Sequence, residues 1–120
     1  MIDINAMMAE FKKHPQIHDC GMILCHNGVV RGYARDGRKV SGLRVKVDHA
    51  KLEEVLAKYR QRPGIVDIQI KIEEDRDLNV GDDVMVLIVG GDIRENVIET
   101  LTDALNDVKA FVTSKTQYFV

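Results

Sequence analysis

The chain has 120 residues, 45% apolar and 30% charged, with a formal net charge of −2 and a sequence pI near 6.1. That length predicts one domain, residues 1–120, with a real core, and the balance is that of an ordinary globular protein. A slightly acidic chain has no global basic field to recruit nucleic acid or an anionic membrane, so any affinity for anions has to be local.

Ile4, Met7, Met8 and Phe11 recur at helical spacing and predict a short helix over residues 4–13, stopped by His14-Pro15. The apolar content of residues 20–33 reads as a strand, on which Cys20 and Cys25 are expected to face opposite sides as buried thiols. Asp36-Gly37 is a turn signal. A second strand follows over residues 40–47, where Leu43, Val45 and Val47 alternate with Arg44 and Lys46. Asp48 is placed to cap a helix running to about Arg60, whose apolar face is Leu52, Val55, Leu56 and Tyr59.

Arg62-Pro63-Gly64 ends that helix, and Val66, Ile68, Ile70 and Ile72 alternate with polar residues as a third strand. An acidic turn, Glu73 to Asp77, leads to Val80-Gly81-Asp82 and a fourth strand, residues 84–89, apolar on both faces and therefore expected to be central. Gly90-Gly91 is expected to close it. Asp92 with Glu95 suggests a capping box for a long helix whose stripe is Val97, Ile98, Leu101, Ala104, Leu105 and Val108. A last strand is expected over residues 114–120. With no repeat or linker, these elements predict an α+β fold.

Through these elements runs a skeleton of spaced residues: Gly21, Gly28-Val29-Val30-Arg31, Gly37, Val40, Leu43, Leu78-x-x-Gly81-Asp82, Arg94, Lys109 and Lys115. In order and spacing it resembles the large, catalytic subunit of molybdopterin synthase, the MoaE family, over nearly the whole chain. The resemblance implies an α/β-hammerhead architecture, a mixed or antiparallel sheet with a long C-terminal helix packed on it, and a homodimer. It implies sulfur transfer from the C-terminal thiocarboxylate of a small ubiquitin-like subunit to a phosphorylated pterin, cyclic pyranopterin monophosphate, giving molybdopterin. No metal or organic cofactor is implied on this chain; a cytoplasmic location is expected separately, from a start without a signal-like segment. Arg31 and Arg94 would bind anionic groups of the substrate, and Lys109 and Lys115 would be the catalytic lysines.

Three of these four cations have a second reading from their own position. Near a helix N-terminus Arg94 is disfavoured by about 0.3–1 kcal/mol unless an anion binds there, or it simply pairs with Glu95 or Asp92. Arg31 ends a strand beside a glycine-containing hairpin, where it either reaches a cleft or lies on the surface. Lys109 in the last turn of a helix compensates the dipole without any other role. Lys115 matches the family's second Lys once one residue of the connection is deleted.

The chain departs from the family pattern at several positions. Ile93 stands where the family has the His of a His-Arg pair, Glu73-Glu74 replace an earlier His-Arg, Lys46 and Asp48 replace a Glu and a Tyr, and the Pro-x-Trp before the second Lys is absent. A polar tail usual in the family is not seen after Val120. These departures keep open a second function, a catalytically inactive homologue serving as a dimeric binding or interaction module.

Other classes have little support. His14, His18, His26 and His49 invite a metal site, but Pro15 breaks the helix that would align His14 with His18, and the four are expected at the surface. Ser41 and Ser114 lie in no G-x-S-x-G context. With no Trp, three Tyr and three Phe, there is no stacking platform for RNA. The N-terminus shows no basic and apolar signal segment, and no apolar run approaches the ~20 residues of a membrane span.

Overall fold

The computed structural model describes residues 1–120. Asp3 caps helix α1, Ile4–Phe11, by accepting the backbone N–H of Ala6 at 2.9 Å. A single 3-10 turn then leads to strand β1, Met22–Val29, which is shorter than the sequence suggests. Cys20 therefore precedes the strand. Both cysteines pack against the α1 side of the sheet instead of facing opposite ways, and both are free thiols.

Strand β2, Val40–Val47, and helix α2, His49–Arg60, fall where the sequence places them, with Asp48 accepting the backbone N–H of Lys51. Strand β3 is Ile65–Ile72. A register shift between Ile65 and Asp67 moves Val66 off the alternation, and Ile65 joins Ile68, Ile70 and Ile72 against the core. The stretch read as an acidic turn contains a short strand β4, Asp77–Asn79, which pairs with β2 across Leu43 and Leu78.

Strand β5, Asp83–Gly91, is central and includes Gly90 and Gly91, which were expected to end it. They stay in the strand because their missing side chains admit neighbours: a methyl built at Gly90 would lie 2.6 Å from Cζ of Phe11. Helix α3, Arg94–Asp107, starts later than the capping-box reading. Ile93 is its N-cap, and the Asp92 carboxylate instead accepts the N–H of Ile93 and a side-chain N–H of Asn96. Strand β6, Thr113–Phe119, ends the fold.

The strands form two antiparallel sheets, ordered β1-β5-β3 and β4-β2-β6. Helices α2 and α3 cover one face of the first sheet with Leu52, Val55, Tyr59, Val97 and Ala104, joined by Val108 just past the end of α3, while α1 covers the other through Met7 and Phe11. Of the predicted α3 stripe, Ile98 is 48% exposed and Thr100 is buried in its place. A third cluster, Val30, Leu43, Val45 and Leu78, joins the end of β1 to the second sheet. This is the expected α+β arrangement, with α3 packed on the sheet.

Candidate active site

Three elements meet where the two sheets join. At the end of β1 the register shifts between Gly28 and Val29, turning Val29 out and Val30 into the third cluster. Bulges of this kind re-aim the residues that follow. Arg31 comes next, held by its Nε–H donating to the carbonyl of Tyr33 at 2.7 Å. The hairpin that follows turns at Gly37, whose φ of 90° lies in the left-handed region that glycine adopts freely.

The second element is the end of α3. Helix α3 does not run on to Lys109 as the sequence reading supposes; it passes at Val108 into a π-helical turn, Val108–Val112. The wider turn keeps both Val108 and Val112 in the core and leaves Lys109 on the outside. Its entry is tied to α2, since the Tyr59 hydroxyl donates to Asp107 and Lys58 pairs with the same carboxylate at 3.4 Å. Burial, and then the Asp107 carboxylate, raise the Tyr59 pKa. Tyr59→Phe is expected to cost about 1.5 kcal/mol of stability by removing a hydrogen bond to a charged acceptor, read as a lowered denaturation midpoint.

The third element is β6, which starts immediately after the π turn. Its alternation sets Thr113, Lys115 and Gln117 on the pocket, with Lys115 opposite Val45 of β2.

Arg31, Lys109 and Lys115 thus line one pocket of about 850 Å³, together with Arg35, Arg38 and His26. Its wall holds five Arg and Lys side chains, Arg31, Arg35, Arg38, Lys109 and Lys115, against one carboxylate, Asp36. That carboxylate is already engaged. It accepts the backbone N–H of Arg38 at 3.1 Å and its Nε–H at 2.8 Å, bonds that hold its pKa below the usual carboxylate value. Arg38 also stacks over the Phe119 ring at 3.9 Å. In a chain of net charge −2, so local a cationic excess suits a polyanionic ligand.

The sequence reading missed Arg35, Arg38 and His26. The two arginines flank Asp36-Gly37, and this basic hairpin was visible as composition although no family pattern marks it. His26, expected at the surface, is half-buried on the same strand face as Gly28. Its pKa is lowered, first by burial and then by Lys109. A histidine kept neutral in this way stabilises the fold above its ordinary pKa, and that stability is lost as pH falls through the lowered folded value. His26→Gln is expected to flatten this part of a stability-against-pH curve.

Arg94 does not join the pocket of its own chain. It is the first residue of α3, and its Nε lies 3.2 Å from Glu95, the surface pair foreseen as its alternative. Glu73 and Glu74 do not line the pocket either: Glu73 pairs with the N-terminus and Arg76, and Glu74 with His49. No group of three or more His, Cys, Asp or Glu side chains is placed to hold a metal ion. No helix is long and apolar enough to cross a membrane.

Fold and pocket together define an α+β protein with a cationic cleft between two sheets, suited to an anionic ligand. The family model for the MoaE protein matches residues 1–111, and the chain belongs to the MoaE family. Membership places it among proteins of molybdenum cofactor biosynthesis. No curated protein matches it by sequence.

Solved structures share the fold. Molybdopterin synthase from Staphylococcus aureus matches with a TM-score of 0.80 at 18% identity, covering 99% of this chain and 86% of that one. The complex of subunits 1 and 2 of molybdopterin-converting factor from Helicobacter pylori matches with a TM-score of 0.74 at 16% identity, covering 99% and 84%. Molybdopterin cofactor biosynthesis protein E from Burkholderia multivorans matches with a TM-score of 0.76 at 22% identity, covering 99% and 84%.

Proposed function

We propose that this chain is the catalytic subunit of a molybdopterin synthase, transferring sulfur from a small-subunit thiocarboxylate to cyclic pyranopterin monophosphate. The observation that carries the reading is the convergence of Arg31, Lys109 and Lys115, from three separate elements, on one cationic pocket. An interaction module has no need of that convergence. The Helicobacter pylori structure is a complex of two subunits, which supports a small-subunit partner here.

The chemistry asks for what the pocket offers. A thiocarboxylate sulfur is anionic and the substrate carries a phosphate, so both are drawn to a site rich in Arg and Lys. Arg31 holds an anionic group of the substrate. Lys109, on its π turn, stabilises charge at the thiocarboxylate and moves a proton, and Lys115 contacts the substrate from β6. The thiocarboxylate sulfur attacks a side-chain carbon of the pterin and displaces an oxygen there. Water then cleaves the acyl–sulfur bond, and the tail leaves as a carboxylate with the sulfur kept on the pterin. A second such transfer supplies the second sulfur of molybdopterin. The sulfur arrives with the partner, and no metal or organic cofactor takes part on this chain. Arg94 does not line the pocket of its own chain, so the substrate-binding role proposed for it requires the pocket of a second copy in the proposed homodimer. The proposed location is cytoplasmic.

The second reading, an inactive binding module, draws on Ile93 and on the Arg94–Glu95 pair. A single-turnover reaction with thiocarboxylated small subunit and cyclic pyranopterin monophosphate separates the two. Molybdopterin formation supports the synthase; its absence beside a working large subunit, with small subunits from several sources, supports the module.

A further inference from the structure

His26 has no hydrogen-bond partner in the protein, yet no polar side-chain atom is both buried and unsatisfied. Its ring nitrogens are therefore not sealed from solvent, and the residue lines the pocket. Gly28 lies beside the ring: a methyl built there would be in van der Waals contact with the imidazole Nε2, at 3.4 Å. The charged groups sharing the pocket with it are Arg31 from the end of β1, Arg35, Asp36 and Arg38 from the hairpin, Lys109 from the π turn and Lys115 from β6. Strand β5 contributes Val84 and Met85, which do not titrate, and α3 contributes nothing.

We propose that His26 is a second proton-exchanging group of the pocket, beside Lys109: neutral while the pocket is empty, it takes up one proton from solvent when a dianion binds beside Lys109. The inference rests on the anion-binding reading above and adds to it a specific acid. In the empty pocket, burial and the neighbouring cations disfavour a second positive charge on the imidazole. Burial and Lys109 act in the same direction, and both hold its pKa down. A bound dianion offsets Lys109 and supplies an opposite charge at short range, which favours the imidazolium. The proton then sits next to the bound ligand, where a group-transfer reaction can draw on it.

Linkage makes this measurable. If anion binding raises the His26 pKa by about one unit, the anion binds about tenfold more tightly below that pKa than above it. Sulfate is a suitable probe because it stays a dianion across the range and does not itself titrate. The imidazole signals of the intact protein are followed by NMR from pH 5 to 8, with and without sulfate and with sodium chloride at matched ionic strength. His26→Gln assigns the His26 signal.

The expected result is a His26 midpoint below that of an exposed histidine, moved up by about one unit with sulfate but not with chloride. His26→Gln is expected to bind sulfate with an affinity that no longer changes with pH. A His26 midpoint unmoved by saturating sulfate, or sulfate binding in His26→Gln with parental pH dependence, overturns the proposal. Failure of sulfate to shift pocket signals at all overturns it together with the anion-binding reading. Turnover separates the two claims: a sulfate-sensitive His26 in a protein without turnover removes only the synthase. Conversely, turnover with a pH profile unchanged by His26→Gln removes only the proton-exchanging role.

Discussion

Lys109→Ala is expected to fold like the parent and to lose sulfur transfer by about 10²- to 10⁴-fold, the range for removing a positioned proton-transfer or charge-stabilising group. The side chain is exposed on the π turn, whose anchors Val108 and Val112 are untouched by the change, so thermal stability should move little. Lys109→Arg keeps the charge but not the titratable amine, and its rate divides the two roles. Recovery of most of the activity assigns Lys109 to charge stabilisation; a rate near that of the alanine variant assigns it to proton transfer. Full activity in Lys109→Ala contradicts the site assignment.

Phe11→Ala is expected to cost about 3–5 kcal/mol, a large part of the stability of a domain this size. Phe11 is fully buried, and its ring lies over Gly90 of the central strand, so truncation leaves a cavity between α1 and the sheet. The reverse change tests the same contact. Gly90→Ala drives a methyl into the ring and is expected to cost about 1–3 kcal/mol by overpacking. In a Phe11→Leu background that penalty should shrink, and denaturant unfolding of the two singles and the double gives the coupling directly. Additive costs would mean that ring and glycine are not in contact.

Much of the fold was legible because local and tertiary signals agree. Asp48 caps a helix whose buried face is the predicted Leu52, Val55, Leu56 and Tyr59, and β2 alternates as its sequence does. Where they disagree, the reading failed for identifiable reasons. Strand β4 has one apolar residue, Leu78, among polar neighbours, and only its pairing to Leu43 makes it a strand. Gly90 and Gly91 look like a terminator, but close packing by Phe11 and by the backbone at Gly64 keeps them in β5. A π turn has no signature in a helical stripe of period 3.6, so Lys109 was placed on the wrong kind of turn.

The site divides in the same way. Arg31, Lys109 and Lys115 were found through the family pattern, and the structure brings them together. Arg35, Arg38 and His26 belong to no such pattern, and only the meeting of the hairpin, β1 and the π turn gives them a common wall. Arg94 was grouped with the pocket by the resemblance, whereas the start of α3 lies away from it within one chain. The departures at Glu73 and Glu74 matter less than their charge suggests, since both are paired outside the pocket.

The central claim is that this pocket moves sulfur from a partner's tail onto the pterin. The most direct measurement supplies the chain with small subunit whose thiocarboxylate carries a heavy sulfur isotope, and weighs the pterin product by mass spectrometry. The account predicts molybdopterin bearing the heavy isotope, formed with this chain present and absent when the small subunit ends in an ordinary carboxylate. Unlabelled product, or none beside an authentic large subunit that works under the same conditions, would contradict it.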